Sequence, residues 1–457
     1  MTFPTPTGSY PPQVTSLQSR TSSRQPASRQ SEGRIKVLHI INDLSIGGAE
    51  MMLYKLLSTM SEERFYPCVM TLVDRGKLRE SIEALGIPVY TAGMVPGTPS
   101  PLSVWRLIRQ VRQIKPDLIQ GWMSHGNLVA QLLASIASRR SSVLWNIRQT
   151  LYSFEYEKRG TALAIKACAR LSKSPARILY NSRTSSAQHG AIGYRTEKTT
   201  IIPNGFDTEV FAPSGQARRS VRSELGVAES TFLIGLIGRF HPMKGHAHFL
   251  RAARRLLSRY PDVQFVLSGK GVSWSNQFLC EMVQAMGLVE RVHLLAERQD
   301  MPRITAALDI ASSSSSYGEG FPNVIGEAMS CAVPCVVTDV SDMPWVVGET
   351  GRVVPPRNPE ALANAWAELI EMGAEGREAL GTAARARVIQ YFPLGLVVAQ
   401  YEALYESVIA QRAAEKRSKS NVRYHRFSEH DPSKLEPRDA GDGSTDVRHS
   451  RSSRAGR

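Results

Sequence analysis

From Arg34 onward the chain alternates continuous apolar runs with amphipathic stretches. IKVLHIIND is apolar almost throughout and of strand length, as expected of a strand covered on both faces of a parallel sheet. GGAEMMLYKLLSTM follows with helical spacing of its apolar positions, and YPCVMTLVD reads as a second strand. The alternation continues with LRESIEALG as helix, PVYTAG as strand, LSVWRLIRQVRQIK as helix and PDLIQGW as strand. NLVAQLLASIAS is then a helix, SVLWNIRQ a strand, Tyr156 to Leu171 an amphipathic helix and ARILYNS a strand. TTIIPNGFDTEVFAP closes the series, and its Pro-Asn-Gly turn reads as a linker. A second series begins at Phe232. TFLIGLIGRF, VQFVLSGKG, RVHLLAE, Leu308 to Ser312 and PCVVTDV are its strands; HAHFLRAARRLLSRY, NQFLCEMVQAMG, MPRITAAL and PEALANAWAELIEM are its helices.

The pattern predicts an α/β protein of two Rossmann-like, doubly wound parallel-sheet domains, over 34–208 and 209–391. The strand C-termini of both domains would face one cleft, where such sheets bind ligands. YFPLGLVVAQYEALYESVIAQR reads as a helix over 392–414 that crosses back to the first domain.

The richest stretch for chemistry is SSSSSYGEGFPNVIGEAMSCAVPCVVT. A strand runs into a loop of serines and glycines carrying Glu319; Phe321-Pro322-Asn323 then opens a helix with Glu327 about one turn inside. Proline is tolerated in a first helical turn because its missing N–H has no intrahelical partner there. The amides of Asn323 and Val324 would face the space above the strand end, a ready site for an anion. Paired glutamates mostly solvate a surface or cap a helix. Here Gly318 and Gly320 flank Glu319, which lets a ligand approach the backbone. Two carboxylates with free amides between them suit a ligand with hydroxyls at both ends and phosphate in the middle, a nucleotide sugar.

GRFHPMKGH places Arg239 and Lys244 in the loop after the first strand of the second domain. A guanidinium fork and an ammonium suit a diphosphate and would neutralise it as a leaving group. The P-loop pattern is absent, and His241, His246 and His248 lack further ligands for a metal. Gly47-Gly48 joins the first strand to its helix, allowing close approach of a phosphate, without the third glycine of the dinucleotide fingerprint. His125 follows PDLIQGW in WMSHGN, read as a loop at the cleft edge opposite Glu319.

Composition narrows the partners. The chain is globular in make-up, with 42% hydrophobic and 21% charged residues, and carries a net charge of +15. Residues 1–33 hold +2 of this and 415–457 hold +4; both are poor in apolar residues and are expected to be disordered. The remaining +9 fits anionic substrates or an anionic membrane surface, and no interleaving of aromatic and basic residues supports nucleic acid. The five cysteines form no C-x-x-C, no apolar run reaches the roughly 18 residues of a membrane helix, and residues 1–33 lack a signal-peptide core. The expected location is the cytoplasm, with peripheral contact to the inner face of the membrane.

In their order and spacing GGAE, the histidine loop, NGFD, GRFxPxKG and EGFPNVIGEA resemble glycosyltransferase family 4, retaining enzymes of the GT-B fold, over about Ile35 to Arg412. The resemblance implies that Glu319 holds donor-sugar hydroxyls and Glu327 the nucleotide ribose. Arg239 and Lys244 would bind the diphosphate, with Gly47, Gly48, Gly320, Phe321, Asn323 and Val324 around it. Glu319, His125, Arg239 and Lys244 would form the catalytic set. It further implies a metal-independent hexosyltransferase with no cofactor, a UDP-sugar donor, and a saccharide or lipid-linked acceptor in polysaccharide or glycoconjugate biosynthesis. Retention would follow from same-face attack assisted by the leaving phosphate, with no enzymic nucleophile. One departure is Gln120, where family members often carry histidine, which leaves His125 as the candidate. A nucleotide-sugar epimerase of the same fold and a silent nucleotide-sugar-binding protein stay open as alternatives. Leu151 to Lys158 offers aromatics either to an acceptor or to the core.

Overall fold

The computed structural model describes residues 33–95 and 100–428. The first sheet contains β1 (Ile35–Ile41), β2 (Phe65–Thr71), β3 (Val89–Thr91), β4 (Leu118–Trp122), β5 (Ser142–Ile147), β6 (Arg177–Tyr180) and β7 (Thr199–Ile201). All its pairs are parallel, in the order β3-β2-β1-β4-β5-β6-β7. The second holds β8 (Leu233–Ile237), β9 (Gln264–Ser268), β10 (Val292–Leu294), β11 (Ile310–Ser313), β12 (Cys335–Thr338) and β13 (Gly351–Val354), in the order β10-β9-β8-β11-β12-β13. These are the two Rossmann-like domains of a GT-B fold.

Each sheet separates two apolar clusters. On one face of the first sheet lie Leu107, Val111, Leu133 and Ile165; on the other lie Met52, Leu53, Leu56 and the returning chain's Val397, Tyr401 and Tyr405. The helix from Leu394 therefore does cross back, burying an apolar stripe against the first sheet. The chain passes between the domains twice, and the two passages pair: Phe206 N–H donates to the Phe392 carbonyl and Leu394 N–H to the Phe206 carbonyl, each at 2.9 Å. A Cβ on Gly205 would stand 2.8 Å from Leu394 Cα, so this crossing needs a residue without one. Asp207 accepts the Glu209 and Val210 amides at 3.0 Å, closing the turn. NGFD is thus an interdomain joint.

Several elements depart from the expectation. Helices Arg183–Ala191, Gly215–Leu225, Met343–Val347 and Gly373–Tyr391 and strands β7 and β13 were not legible. Arg183–Ala191 and Gly215–Leu225 are polar and bury only two residues each; β7 and β13 span three and four residues at sheet edges. The helix expected from Tyr156 begins at Arg159, after one 3-10 turn at Phe154–Tyr156. His125 is not in a loop: the helix Met123–Ile136 starts directly at the end of β4. The C-terminal helix runs to Ser428, where disorder was expected from 415. The rest of the two expected tails, 1–32 and 429–457, lies outside the described residues. No described helix is long and apolar enough to cross a membrane.

Two buried histidines tie stability to pH. Burial lowers His39 to about 3, and burial with the nearby Lys244 charge lowers His246 to about 4. As pH falls below 6.5 the unfolded chain takes up these protons first, so folding weakens between 6.5 and those values, by up to about 1.4 kcal/mol per pH unit for each residue. Thermal unfolding between neutral pH and mild acid should show the decline. His39→Gln, which keeps an acceptor for the Trp122 Nε1–H that His39 Nδ1 receives at 3.2 Å, should make it shallower. An unchanged slope would contradict this.

Candidate active site

The strand order reverses between β1 and β4 in the first sheet and between β8 and β11 in the second. Ligands bind at such switch points because the connections leave in opposite directions and open a crevice. The predicted residues follow these four strands: Gly47 and Gly48 after β1, His125 after β4, Arg239 and Lys244 after β8, and Glu319 after β11.

The loops after β8 and β11 are tied together. Ser314 Oγ donates to the carbonyls of Lys244 and Gly245 at 2.9 and 3.1 Å, and Ser316 N–H to the Met243 carbonyl at 2.8 Å. Gly245 sits at φ +68°, where an added Cβ would lie 2.0 Å from the Ser314 carbonyl oxygen. This contact aims Lys244 Nζ at Glu319 Oε1, 2.5 Å away, which also accepts from Ser315 Oγ at 2.6 Å. Burial pushes the Glu319 carboxyl up, but Lys244, Ser315 and the Arg239 charge outweigh it and hold the group below its ordinary value. Arg239 itself is exposed.

Helix Asn323–Ser330 begins at Pro322, whose carbonyl accepts from Ile325 and Gly326 N–H at 3.2 and 3.3 Å. The Asn323 and Val324 amides therefore precede the first intrahelical bonds and remain available at the N-terminus. The Phe321 ring stacks on Phe206 at 6.0 Å and packs edge-on against Trp345 and Phe392. Its side chain is core, leaving only its backbone for a ligand. Asn323 Oδ1 accepts from Asn204 Nδ2, and Asn204 Oδ1 from Arg148 Nη2, so a hydrogen-bonded relay joins β5's end to this helix through the linker.

A cavity of about 200 Å³ lies between Gly47, Gly48 and Lys55 of the first domain, Asn204 and Gly205 of the linker, and Asn323 and Glu327 of the second. Glu327 faces Lys55 Nζ at 3.7 Å. Its burial raises the carboxyl above its usual range and Lys55 opposes that shift. The two glutamates thus occupy different surroundings: Glu319 is pinned in its loop, and Glu327 lines the cavity. A Cβ on Gly48 would meet nothing nearer than Asn323 Nδ2, at 3.7 Å. On Gly47 it would stand 2.5 Å from Glu50 Oε2, because Glu50 turns back over the helix start. The glycine pair therefore accommodates a carboxylate of its own helix as well as leaving room beside Gly48.

Gly320 comes close to the first domain, where a Cβ would lie 3.1 Å from the Arg148 carbonyl oxygen. His125 sits in the first turn of its helix, half-buried and held neutral by that burial. Among the described residues no hydrogen bond joins it to Glu319 or Lys244. Gln120 is wholly buried and accepts from the Tyr405 hydroxyl at 2.5 Å, a packing role. His241 Nδ1 accepts from Met243 N–H at 3.2 Å, and His246 packs edge-on against Phe240 at 5.2 Å. Among the described residues no three His, Cys, Asp or Glu side chains group as metal ligands.

Sequence reasoning missed Lys55, Arg148 and Asn204. Lys55 looked like one more polar position on an amphipathic helix. Arg148 stands at a strand C-terminus, as His125 does, and that position was the available signal. It is buried and donates to the Tyr401 hydroxyl at 2.8 Å.

Residues 46–210 match the family model described as Glycosyltransferase Family 4, and residues 231–372 that of Glycosyl transferases group 1. A Bacillus subtilis (strain 168) protein provisionally named glycosyltransferase EpsF is 27% identical over 66% of this chain and 79% of its own. An Escherichia coli UDP-Gal:alpha-D-GlcNAc-diphosphoundecaprenol alpha-1,3-galactosyltransferase is 34% identical over 32% of this chain and 37% of its own, so that match spans well under half of the relative. Among solved structures, Anabaena Alr3699/HepE in complex with UDP-glucose superposes with a TM-score of 0.71 at 25% identity, covering 82% of this chain and all of that one.

Proposed function

Because the chain belongs to the family 4, group 1 glycosyltransferases of GT-B fold, we propose that it is a retaining, metal-independent hexosyltransferase that moves a sugar from a UDP-sugar to a saccharide or lipid-linked acceptor. The observation that carries this reading is the pairing of Lys244 with Glu319 at the ends of the adjacent strands β8 and β11. In this reading the diphosphate lies among Lys244, Arg239 and the Asn323 and Val324 amides. Glu319 grips sugar hydroxyls, and Glu327 reaches the ribose from the cavity it shares with Gly48. The bond between the sugar's anomeric carbon and the phosphate oxygen breaks as the acceptor hydroxyl adds from the same face. The departing phosphate takes the acceptor proton, and the two cations stabilise its growing charge in place of a metal. His125, neutral and half-buried, is suited to contact the donor sugar without adding charge.

The UDP preference draws on the UDP-glucose complex of the Anabaena protein, and the lipid-linked option on the diphosphoundecaprenol acceptor in the Escherichia coli relative's name. The test is a panel of UDP- and GDP-sugars, each with and without a diphospholipid-linked or free saccharide acceptor, in the presence of EDTA. Acceptor-dependent UDP release with retained anomeric configuration is expected. Interconversion of the free donor would instead identify an epimerase, and binding without turnover a silent binding protein. Loss of activity in EDTA restored by a divalent ion would refute metal independence.

A further inference from the structure

Helices Pro101–Ile114, Met123–Ile136 and Arg159–Leu171 form one layer on one face of the first sheet. Leu107, Val111, Leu133, Ile165 and Cys168 share a single apolar cluster there, and the middle helix touches both others. The layer's outer surface is strongly cationic. None of the three helices contains an aspartate or glutamate. Yet Arg106, Arg109 and Arg112 are exposed along the first and Arg159, Lys166 and Arg170 along the third, and among the described residues none of these six enters an ion pair. Some exposed arginines elsewhere are matched to carboxylates, as Arg64 is to Glu402 and Glu406 and Arg259 to Glu371, whereas Arg251, Arg254 and Arg255 of helix His246–Leu257 are, among the described residues, as unmatched as these six.

The same surface carries large apolar side chains between its cations. Trp105 is 54% exposed beneath the Arg109 guanidinium, which sits 5.3 Å from its ring, and Leu163 is 68% exposed between Arg159 and Lys166. Leu132 and Ile136 are exposed on the middle helix. Unmatched cations alone would suit any polyanion. Interleaved with exposed Trp and Leu, they suit a surface that is anionic outside and apolar a few ångströms in, since cationic side chains bind headgroups while apolar ones enter the boundary below.

We propose that the outer face of this three-helix layer docks on an anionic phospholipid surface. In parallel α/β units a helix starts at the C-terminal edge of the strand before it, so Trp105 and Leu163, both in early turns, lie toward the cleft end of the layer. A bilayer held there delivers a lipid-linked acceptor beside the cleft, a step that rests on the reading of the acceptor above.

The test is co-sedimentation of the full chain with vesicles of phosphatidylcholine and phosphatidylglycerol, compared with phosphatidylcholine alone. The wild type should bind only the anionic vesicles and leave them as salt rises. Arg109→Glu combined with Lys166→Glu and Arg170→Glu should reduce partitioning by at least about tenfold, and Trp105→Ala should weaken it at constant charge. Reversing Arg251, Arg254 and Arg255, exposed on helix His246–Leu257 of the second domain, should change it little, which separates this face from net charge. Donor binding and turnover of a water-soluble acceptor should be normal in every variant; their failure in the wild type would count against the transferase reading alone. Equal losses from the two triple reversals, equal binding to neutral vesicles, or no binding by the wild type at low salt would overturn the proposal.

Discussion

Lys244→Ala is expected to lower sugar transfer by about 10²–10³-fold, the usual effect of removing one group that stabilises developing transition-state charge. The change acts twice. In the proposed mechanism it withdraws the ammonium from the departing diphosphate, and in the structure it leaves Glu319 buried with Ser315 as its remaining direct partner. Burial already pushes that carboxyl upward, and Lys244 is the largest influence opposing it. Without the lysine, burial pushes the Glu319 carboxyl up with less to oppose it, and in the proposed mechanism its grip on the sugar hydroxyls weakens. Glu319→Gln isolates the second effect because it keeps the shape and the Ser315 contact while removing the charge. If the pair works as a unit, Lys244→Ala in the Glu319→Gln background should cost much less than it costs alone. Steady-state assays of UDP release, with circular dichroism to verify folding, provide the measurement. A Lys244→Ala enzyme within tenfold of wild type would remove the pair from the chemistry.

The legible features were those where one residue type answers one physical demand. β1 and β8 were plain because strands covered on both faces are apolar throughout. The glycines of GRFHPMKG and NGFD mark places where a Cβ would strike another backbone, at Ser314 and at Leu394. Glu319 was conspicuous because glycines bracket it. What escaped depends on contacts distant in sequence. Nothing in SVLWNIRQ indicates that Arg148 will be buried against Tyr401, 253 positions away, nor that Asn204 will bridge it to Asn323. His125 was assigned to a loop because WMSHGN reads as polar punctuation. The chain instead enters the helix at once, with Met123 at φ +62°, a conformation no local pattern announces. Phe321 was taken from its motif as a donor neighbour, but an aromatic beside a glycine-rich turn equally serves the core beneath it, and its ring packs with Phe206, Trp345 and Phe392.

Asp342→Ala is expected to loosen the closed arrangement of the two domains without unfolding either. Asp342 follows β12 of the second domain, yet its carboxylate accepts Arg183 N–H at 2.6 Å and Thr184 N–H at 3.0 Å, at the start of helix Arg183–Ala191 in the first. The Thr184 and Ser182 hydroxyls add donors at 2.7 and 3.0 Å, and the Arg183 guanidinium lies 4.1 Å from the centre of the Trp345 ring. One domain thus caps a helix of the other. Hydrogen bonds to a charged acceptor contribute about 1.5–3 kcal/mol, and a carboxylate at a helix N-terminus adds about 0.3–1 kcal/mol. When the domains part, water replaces Asp342 at those amides, and Ser182 Oγ still accepts the Ser185 amide at 3.1 Å. The cost of the substitution therefore falls on closure rather than on the fold. A loss of about 2 kcal/mol would shift the closed-to-open ratio roughly 30-fold. Donor affinity should drop by about tenfold or more, since the Gly48, Lys55 and Glu327 cavity exists only while both domains contribute to it. Solution scattering should show a larger radius of gyration, with thermal stability changed little. Asp342→Asn, which retains an accepting oxygen, should fall between. Unchanged donor affinity and scattering in Asp342→Ala would show that closure does not depend on this contact, and a large fall in thermal stability would show that the contact supports the fold instead.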